Sequence, residues 1–221
     1  MPVNVIAHDT RLEGRTPACS SSAVSFEVDG ETPIQDFFNR CRSIAVENGG
    51  IGDLNIMAHG AELIFGGANM GGGYGVVFCR EFIQLENVTL FALLADRVRH
   101  INLYVCSAAA VSPDVHHLDV RHPESGGVWS GDGNELCRRI AIYAQATLTA
   151  AIEIQAYSPS DETSSLFGVE LFSVGEIDFG EWEGPVLTYD ASGNIIDRQI
   201  NPSAWRDADG DIHDPRLESR H

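Results

Sequence analysis

The chain has 221 residues, 43% of them apolar, and a formal net charge of -18 at pH 7. All of its 14 basic residues are arginine, which excludes lysine chemistry such as a Schiff base or a Walker-type phosphate lysine. The acidic charge disfavours nucleic acid and anionic membranes as partners, and no apolar run reaches the ~20 residues of a membrane helix. With no basic-then-apolar leader pattern, we expect a cytoplasmic protein.

The five cysteines indicate a reducing environment. Their number is odd, their spacings are wide, and the sequence contains no CxxC pair. This pattern argues against a disulfide framework and against a zinc ribbon. Four of them fit the role of small core residues, and Cys106 is treated separately below.

The first part of the chain predicts a parallel β-α-β unit. Two strand-like runs at 3–8 and 23–28 are followed by a helix that we expect Thr32 to cap, with Gln35 completing a capping box and Gly49 ending it. A third apolar run follows at once and ends on His59. Strand, helix and strand in this order predict parallel strands joined by a crossover.

The next part leads to the second reactive strand end. We expect a hairpin with strands at 62–65 and 76–79 around a glycine-rich loop at 66–75. The loop lacks the lysine of a phosphate-binding loop. A helix from about 87 to 99 precedes a buried strand at 101–105, which ends next to Cys106.

The remainder predicts less regular structure. A long loop at 107–131 precedes a third helix, which starts at Asp132 and keeps an apolar face as far as Ala151, and then a buried strand at 151–156. We expect one domain at 1–205, with a core at 1–157 and a β-hairpin appendage at 158–205. The last residues, 206–221, are predicted to be a mobile acidic tail.

A histidine and a cysteine are the strongest chemical signal. His59 and Cys106 each stand where a predicted parallel strand stops, and sites in open parallel sheets form at that edge. An imidazole beside a thiol maintains the thiolate and protonates a leaving amine, which is the chemistry of acyl transfer. The N–H groups of Gly60 and Cys106 are candidates for holding the oxyanion.

The stretches Met57-Ala-His59-Gly60 and Tyr104-Val-Cys106-Ser107, about 50 residues apart, resemble the caspase-like cysteine peptidases, which include caspases, metacaspases, gingipain, clostripain and bacterial CHAT-type peptidases. The resemblance covers roughly residues 1–157. It implies a three-layer α/β/α sandwich with a mostly parallel central sheet, Cys106 as nucleophile, His59 as general base, a protein or peptide substrate, and no metal or other cofactor.

The chain departs from the family pattern beside the cysteine. Tyr104 stands where these peptidases carry a glutamine or aspartate that lines the specificity pocket, and Ser107 begins a stretch without the usual glycine. Tyr104 and Ser107 remain candidates for substrate binding. Asp161 and Glu162, in a predicted polar loop, are candidates for receiving a basic substrate side chain.

Two further clusters have weak patterns. His116, His117 and His122, with Asp114 and Asp119, match no defined metal site, and a solvated loop is favoured. The acidic residues at 207–211 lack the glycine and the following helix of a calcium-binding loop.

Three functions stay open at this point. The first is a cysteine endopeptidase that uses the His59/Cys106 dyad and prefers a basic residue beside the cut. The second is a catalytically inactive caspase-like interaction or regulatory module. The third is a small-molecule hydrolase or transferase with the same dyad. The sequence leaves the oligomeric state open.

Overall fold

A computed structural model describes most of the chain up to residue 199 and two short strands beyond it. The described residues are 2–16, 23–61, 63–65, 68–114, 130–155, 162–166, 169–173, 182, 184–199, 205–206 and 212–213. Asp161, the histidines of the candidate metal cluster, and most of the predicted tail therefore lie outside the described residues.

The elements alternate between strands and helices in the first two thirds of the chain. The helices are α1 (Ile34–Asn48), a 3-10 helix (Val88–Leu94) and α2 (Gly133–Ala144). The strands are β1 (Val3–Asp9), β2 (Ala23–Val28), β3 (Ile51–Met57), β4 (His59–Gly60), β5 (Leu63–Phe65), β6 (Ala68–Gly71), β7 (Val76–Val77), β8 (Val98–Tyr104), β9 (Thr147–Ala151), β10 (Glu162–Leu166), β11 (Val169–Ser173), β12 (Val186–Tyr189), β13 (Ile195–Gln199), β14 (Trp205–Arg206) and β15 (Ile212–His213).

Seven of these strands form a mostly parallel sheet in the order β13-β12-β9-β8-β3-β1-β2. The five strands from β2 to β9 run parallel to their neighbours, and β12 and β13 are antiparallel. This confirms the predicted α/β class and the parallel β-α-β unit. Because parallel strands share one carboxyl edge, β3 and β8 deliver the residues after them to the same place.

One face of the sheet carries the main core. The apolar side chains of α1, the 3-10 helix and α2 join those of the strands in one buried cluster. Phe37, Phe38, Phe78 and Phe91 pack edge to face at centroid distances of 4.9–5.0 Å, a geometry that aromatic pairs favour. The three helices therefore form a single layer on this face.

The opposite face is more polar. Asn55, Asn102, Thr149 and Thr188 stand side by side on four adjacent strands. The amide of Asn102 donates to Asn55 at 3.0 Å, and the two threonine hydroxyls lie 3.0 Å apart. A small apolar cluster around Tyr104 lies beyond them at the carboxyl edge. No helix in the described part of the chain covers this face.

Several element boundaries differ from those expected. Thr32 does not cap α1, because its hydroxyl donates to Asp29; the Ile34 N–H donates instead to the carboxylate of Glu81, 47 positions away in sequence. Gly49 ends α1 in the left-handed conformation, as predicted. The helix expected at about 87–99 is a shorter 3-10 helix, because β8 begins at Val98.

Strand assignment and pairing also differ from the prediction in four places. The expected hairpin of 62–65 with 76–79 is wrong, since β5 pairs with β6 and β4 pairs with β7. The segment 147–151, predicted as helix, is strand β9 between β8 and β12. The predicted loop at 157–166 contains strand β10, and the hairpin β12–β13 extends the central sheet rather than forming an appendage.

No helix among the described residues is long and apolar enough to cross a membrane.

Candidate functional site

The register of the sheet brings the two predicted catalytic residues to the same level. Met57, the last residue of β3, pairs with Tyr104, the last residue of β8. His59 and Cys106 each follow two residues later, so both lie at the carboxyl edge after neighbouring strands. The His59 ring bonds on the β1 side, and the Cys106 sulfur bonds on the β9 side. Both faces are buried only at this end of the strands, where Ile56 and Leu103 belong to the main core and Met57 to the small cluster around Tyr104.

Gly60 makes the contact between the two strand ends. A Cβ on Gly60 would lie 3.0 Å from the Cys106 carbonyl carbon and would overlap its oxygen. Gly60 does not adopt a left-handed conformation, so the close approach of the Cys106 backbone explains the glycine at this position. The residue after His59 thus packs directly against the backbone of Cys106.

The imidazole of His59 is oriented by a backbone carbonyl. His59 is exposed, and its Nε2 lies 2.9 Å from the carbonyl oxygen of Arg11, just beyond β1. A carbonyl only accepts, so Nε2 carries the hydrogen of this bond. In the neutral ring Nδ1 then has a lone pair available to take a proton.

The thiol of Cys106 lies against the main chain of Gln155. Its sulfur is 3.2 Å from the Gln155 carbonyl oxygen and 3.4 Å from the Gln155 N–H, which donates to it. The next residue, Ser107, has a left-handed backbone with φ 51°, and its N–H donates to the Glu153 carbonyl. Non-glycine residues in this conformation cluster at functional sites.

An open cleft of about 530 Å³ adjoins Ser107. The residues that line it are Gly71, Gly72, Ser107, Ala110, Ser112, Ile152, Glu153 and Ile154. Glu153 is the ionisable side chain among them and is exposed. The cleft is therefore bordered by one acidic residue, small residues and isoleucines.

The residues predicted to bind substrate lie in different surroundings. Tyr104 is buried, with 7% exposure, and stacks on Trp182 at a centroid distance of 4.5 Å. Ser107 is also buried but borders the cleft. Glu162 begins β10, and Asp161 lies outside the described residues.

Sequence reasoning missed three residues of this site: Arg11, Glu153 and Gln155. Arg11 and Glu153 each follow a parallel strand at the edge where β3 and β8 end, which is the signal that would have found them. These three residues contribute to the geometry mostly through backbone atoms, which a pattern of residue types in the sequence does not predict.

The other described cysteines differ from Cys106 in exposure. Cys41, Cys79 and Cys137 are buried, and burial raises the pKa of each thiol well above its ordinary value. Cys106 is partly exposed. A reagent in water therefore reaches Cys106 more readily than these three thiols.

The sequence matches no family model, and no curated protein or solved structure is significantly similar to it.

Proposed function

We propose that the protein is a cysteine endopeptidase of caspase-like type, in which His59 and Cys106 form the catalytic dyad. The contact of Gly60 with the Cys106 backbone carries this proposal, because it holds the residue after His59 directly against the proposed nucleophile. The proposal includes the three-layer sandwich of these peptidases. The mostly parallel sheet and the helices on one of its faces support two of these layers, and a second helical layer is not among the described residues.

The proposed reaction starts with proton transfer from the Cys106 thiol to Nδ1 of His59. The thiolate attacks the scissile carbonyl carbon and forms a tetrahedral adduct, whose oxyanion accepts from the N–H groups of Gly60 and Cys106. Imidazolium Nδ1–H then protonates the leaving amine as the C–N bond breaks. Water hydrolyses the resulting thioester, and the thiol is restored.

We further propose that the cleft beside Ser107 receives a basic substrate side chain. The cleft is bordered by the acidic Glu153 and by isoleucines, which suits a long cationic side chain with an apolar stem. Asp161 and Glu162 stay predicted partners of such a side chain. The net charge of -18 adds long-range attraction for cationic peptides. No metal or organic cofactor takes part in the proposed mechanism.

Alkylation of the thiol tests the dyad without a known substrate. Iodoacetamide at neutral pH, followed by peptide mapping, should modify Cys106 before Cys41, Cys79 and Cys137. His59→Ala should slow modification of Cys106 on the order of tenfold or more, because the thiolate loses its partner. His100→Ala is the matched control, since that half-buried histidine bonds Thr147 and Asn102 on the sheet face.

A peptide library then tests cleavage. The wild-type protein should cut a subset of peptides, and Cys106→Ala should cut none while it keeps the same circular dichroism spectrum. If Cys106 reacts no faster than the buried thiols and at the same rate in His59→Ala, the peptidase proposal fails.

One observation favours a second function, an inactive interaction or regulatory module of the same fold. The Cys106 sulfur is already held by the N–H and carbonyl groups of Gln155, as a structural cysteine would be. This alternative predicts slow alkylation of Cys106 in a protein that gives the circular dichroism spectrum of a folded chain and cleaves no peptide.

A further inference from the structure

His59 has two structural supports besides its own strand. Its ring donates to the Arg11 carbonyl at 2.9 Å, and its backbone pairs with Val77 in β7. The two supports come from distant parts of the chain, residues 9–12 and 76–79. A single carboxylate, that of Asp9, touches both.

Asp9 is the last residue of β1, and its side chain is fully buried. One carboxylate oxygen accepts from the N–H and Nε–H of Arg11 at 3.1 and 2.8 Å. The other accepts from an Arg11 terminal nitrogen at 2.6 Å and from the N–H of Cys79 at 2.9 Å. The carboxylate therefore fixes both the main chain and the side chain of Arg11.

Arg11 also bonds residues 76–79, which are called the β7 segment below. The same terminal nitrogen donates to the Cys79 carbonyl at 2.8 Å, and the guanidinium lies 5.5 Å over the Phe82 ring. Cys79 and Phe82 both have left-handed backbones, with φ of 55° and 62°. Such conformations persist where the surroundings over-determine them, and the Asp9–Arg11 pair supplies bonds on both sides of Cys79.

We propose that Asp9 and Arg11 form a clamp that positions His59, with Asp9 acting through the Arg11 carbonyl and through the β7 segment. This inference rests on the proposed function, because it assigns a role toward the His59/Cys106 dyad. Neither clamp side chain acts on substrate; both are positioning residues. The clamp holds the acceptor of Nε2–H in place, which leaves Nδ1 as the ring nitrogen that takes the thiol proton in the proposed mechanism.

Stability alone is a weak reason for such a pair. Removing a carboxylate from water is costly, and replacing a buried ion pair with apolar residues is often neutral or stabilising. The side chain of Asp9 is 0% exposed, whereas that of Arg11 is 25% exposed. A role in orienting the neighbouring main chain explains the pair better, since planar bidentate contacts add geometric specificity as well as energy.

Two variants test the clamp in the full-length chain. Asp9→Asn removes the charge. Arg11→Lys keeps a charge but loses the bidentate contact, and its partly exposed side chain lets the variant fold. Leu94→Ala is the stability control, because this buried residue of the 3-10 helix costs about 2–5 kcal/mol when truncated and belongs to the helical layer rather than to the clamp.

The readouts are the pH profile of Cys106 alkylation and the ¹⁵N spectrum of the His59 ring. Both clamp variants should slow alkylation at neutral pH on the order of tenfold, move the profile midpoint to higher pH, and weaken the Nε2–H signal. On any peptide that the wild-type protein cleaves, kcat should fall and KM should change little. Leu94→Ala should leave the profile and the ring signal unchanged.

The outcomes separate the two proposals. If the folded variants keep the wild-type profile and ring signal, the clamp is overturned while the peptidase proposal stands. If the wild-type thiol is unreactive but the ring signal still depends on Asp9, the clamp is supported as a positioning device and the peptidase proposal fails. If the variants change no more than Leu94→Ala, the pair is only structural and the clamp is overturned.

Discussion

Replacing Gly60 with alanine is the sharpest single test of the site geometry. The added methyl would lie 3.0 Å from the Cys106 carbonyl carbon, 3.3 Å from its Cβ, and in overlap with its carbonyl oxygen. Ordinary contacts between a carbon and a carbonyl oxygen are about 3.3–3.6 Å. Because the obstacle is backbone rather than a flexible side chain, the two strand ends must separate by on the order of 1 Å.

A displacement of this size has separate consequences for rate and stability. Misplacing reacting groups by about 1 Å can cost on the order of 100-fold in rate. Overpacking costs about 1–3 kcal/mol of folding free energy, and each kcal/mol lowers Tm by about 2–4 °C in a chain of this size. Gly60→Ala should therefore lose most Cys106 alkylation while it remains folded.

Gly49→Ala provides the matched control. Gly49 has φ 70° and no atom within 4 Å of an added Cβ, so the variant loses about 1–2 kcal/mol through its left-handed backbone alone. Its alkylation rate should equal that of the wild-type protein. The geometric reasoning is refuted if Gly60→Ala alkylates within about threefold of Gly49→Ala, because the strand ends would then tolerate the methyl.

Three other measurements follow from the structure. Glu153→Gln should remove any preference for basic over neutral peptides, read as a ratio of kcat/KM, while alkylation of Cys106 is unchanged. Burial, and secondarily the charge of Asp53, raise the pKa of Tyr104 to about 12. In the unfolded chain the same phenol ionises near pH 10. The stability that the neutral, buried Tyr104 contributes is therefore complete below pH 10 and is lost as the pH rises to about 12. Tyr104→Phe should show a flatter fall in urea-unfolding free energy over that range. Asp132→Ala should lower Tm by about 2–4 °C, because α2 loses the 2.9 Å hydrogen bond from the Glu135 N–H to the Asp132 side chain that caps the helix. Asp132→Asn should retain most of the wild-type Tm.

The segment at 147–151 shows where local pattern was insufficient. An apolar stripe continues from α2 through Leu148 to Ala151, and the sequence favours one long helix. The structure ends α2 at Ala144, and Gln145 takes a left-handed conformation. The pairing of β9 with β8 and β12 then overrides helix propensity, because strand preference depends mainly on packing against neighbouring strands.

Sequence periodicity by itself determined the α/β class, the parallel order of the first strands, helix α1, and the position of His59 and Cys106 at strand ends. These features follow from local patterns, since apolar residues recur at strand or helix spacing along each of these segments. Tertiary structure alone decided which groups surround His59 and Cys106. The Arg11 carbonyl, the carboxylate of Asp9 and the main chain of Gln155 reach the site across many residues of sequence, and a backbone atom offers its hydrogen bond whatever residue carries it.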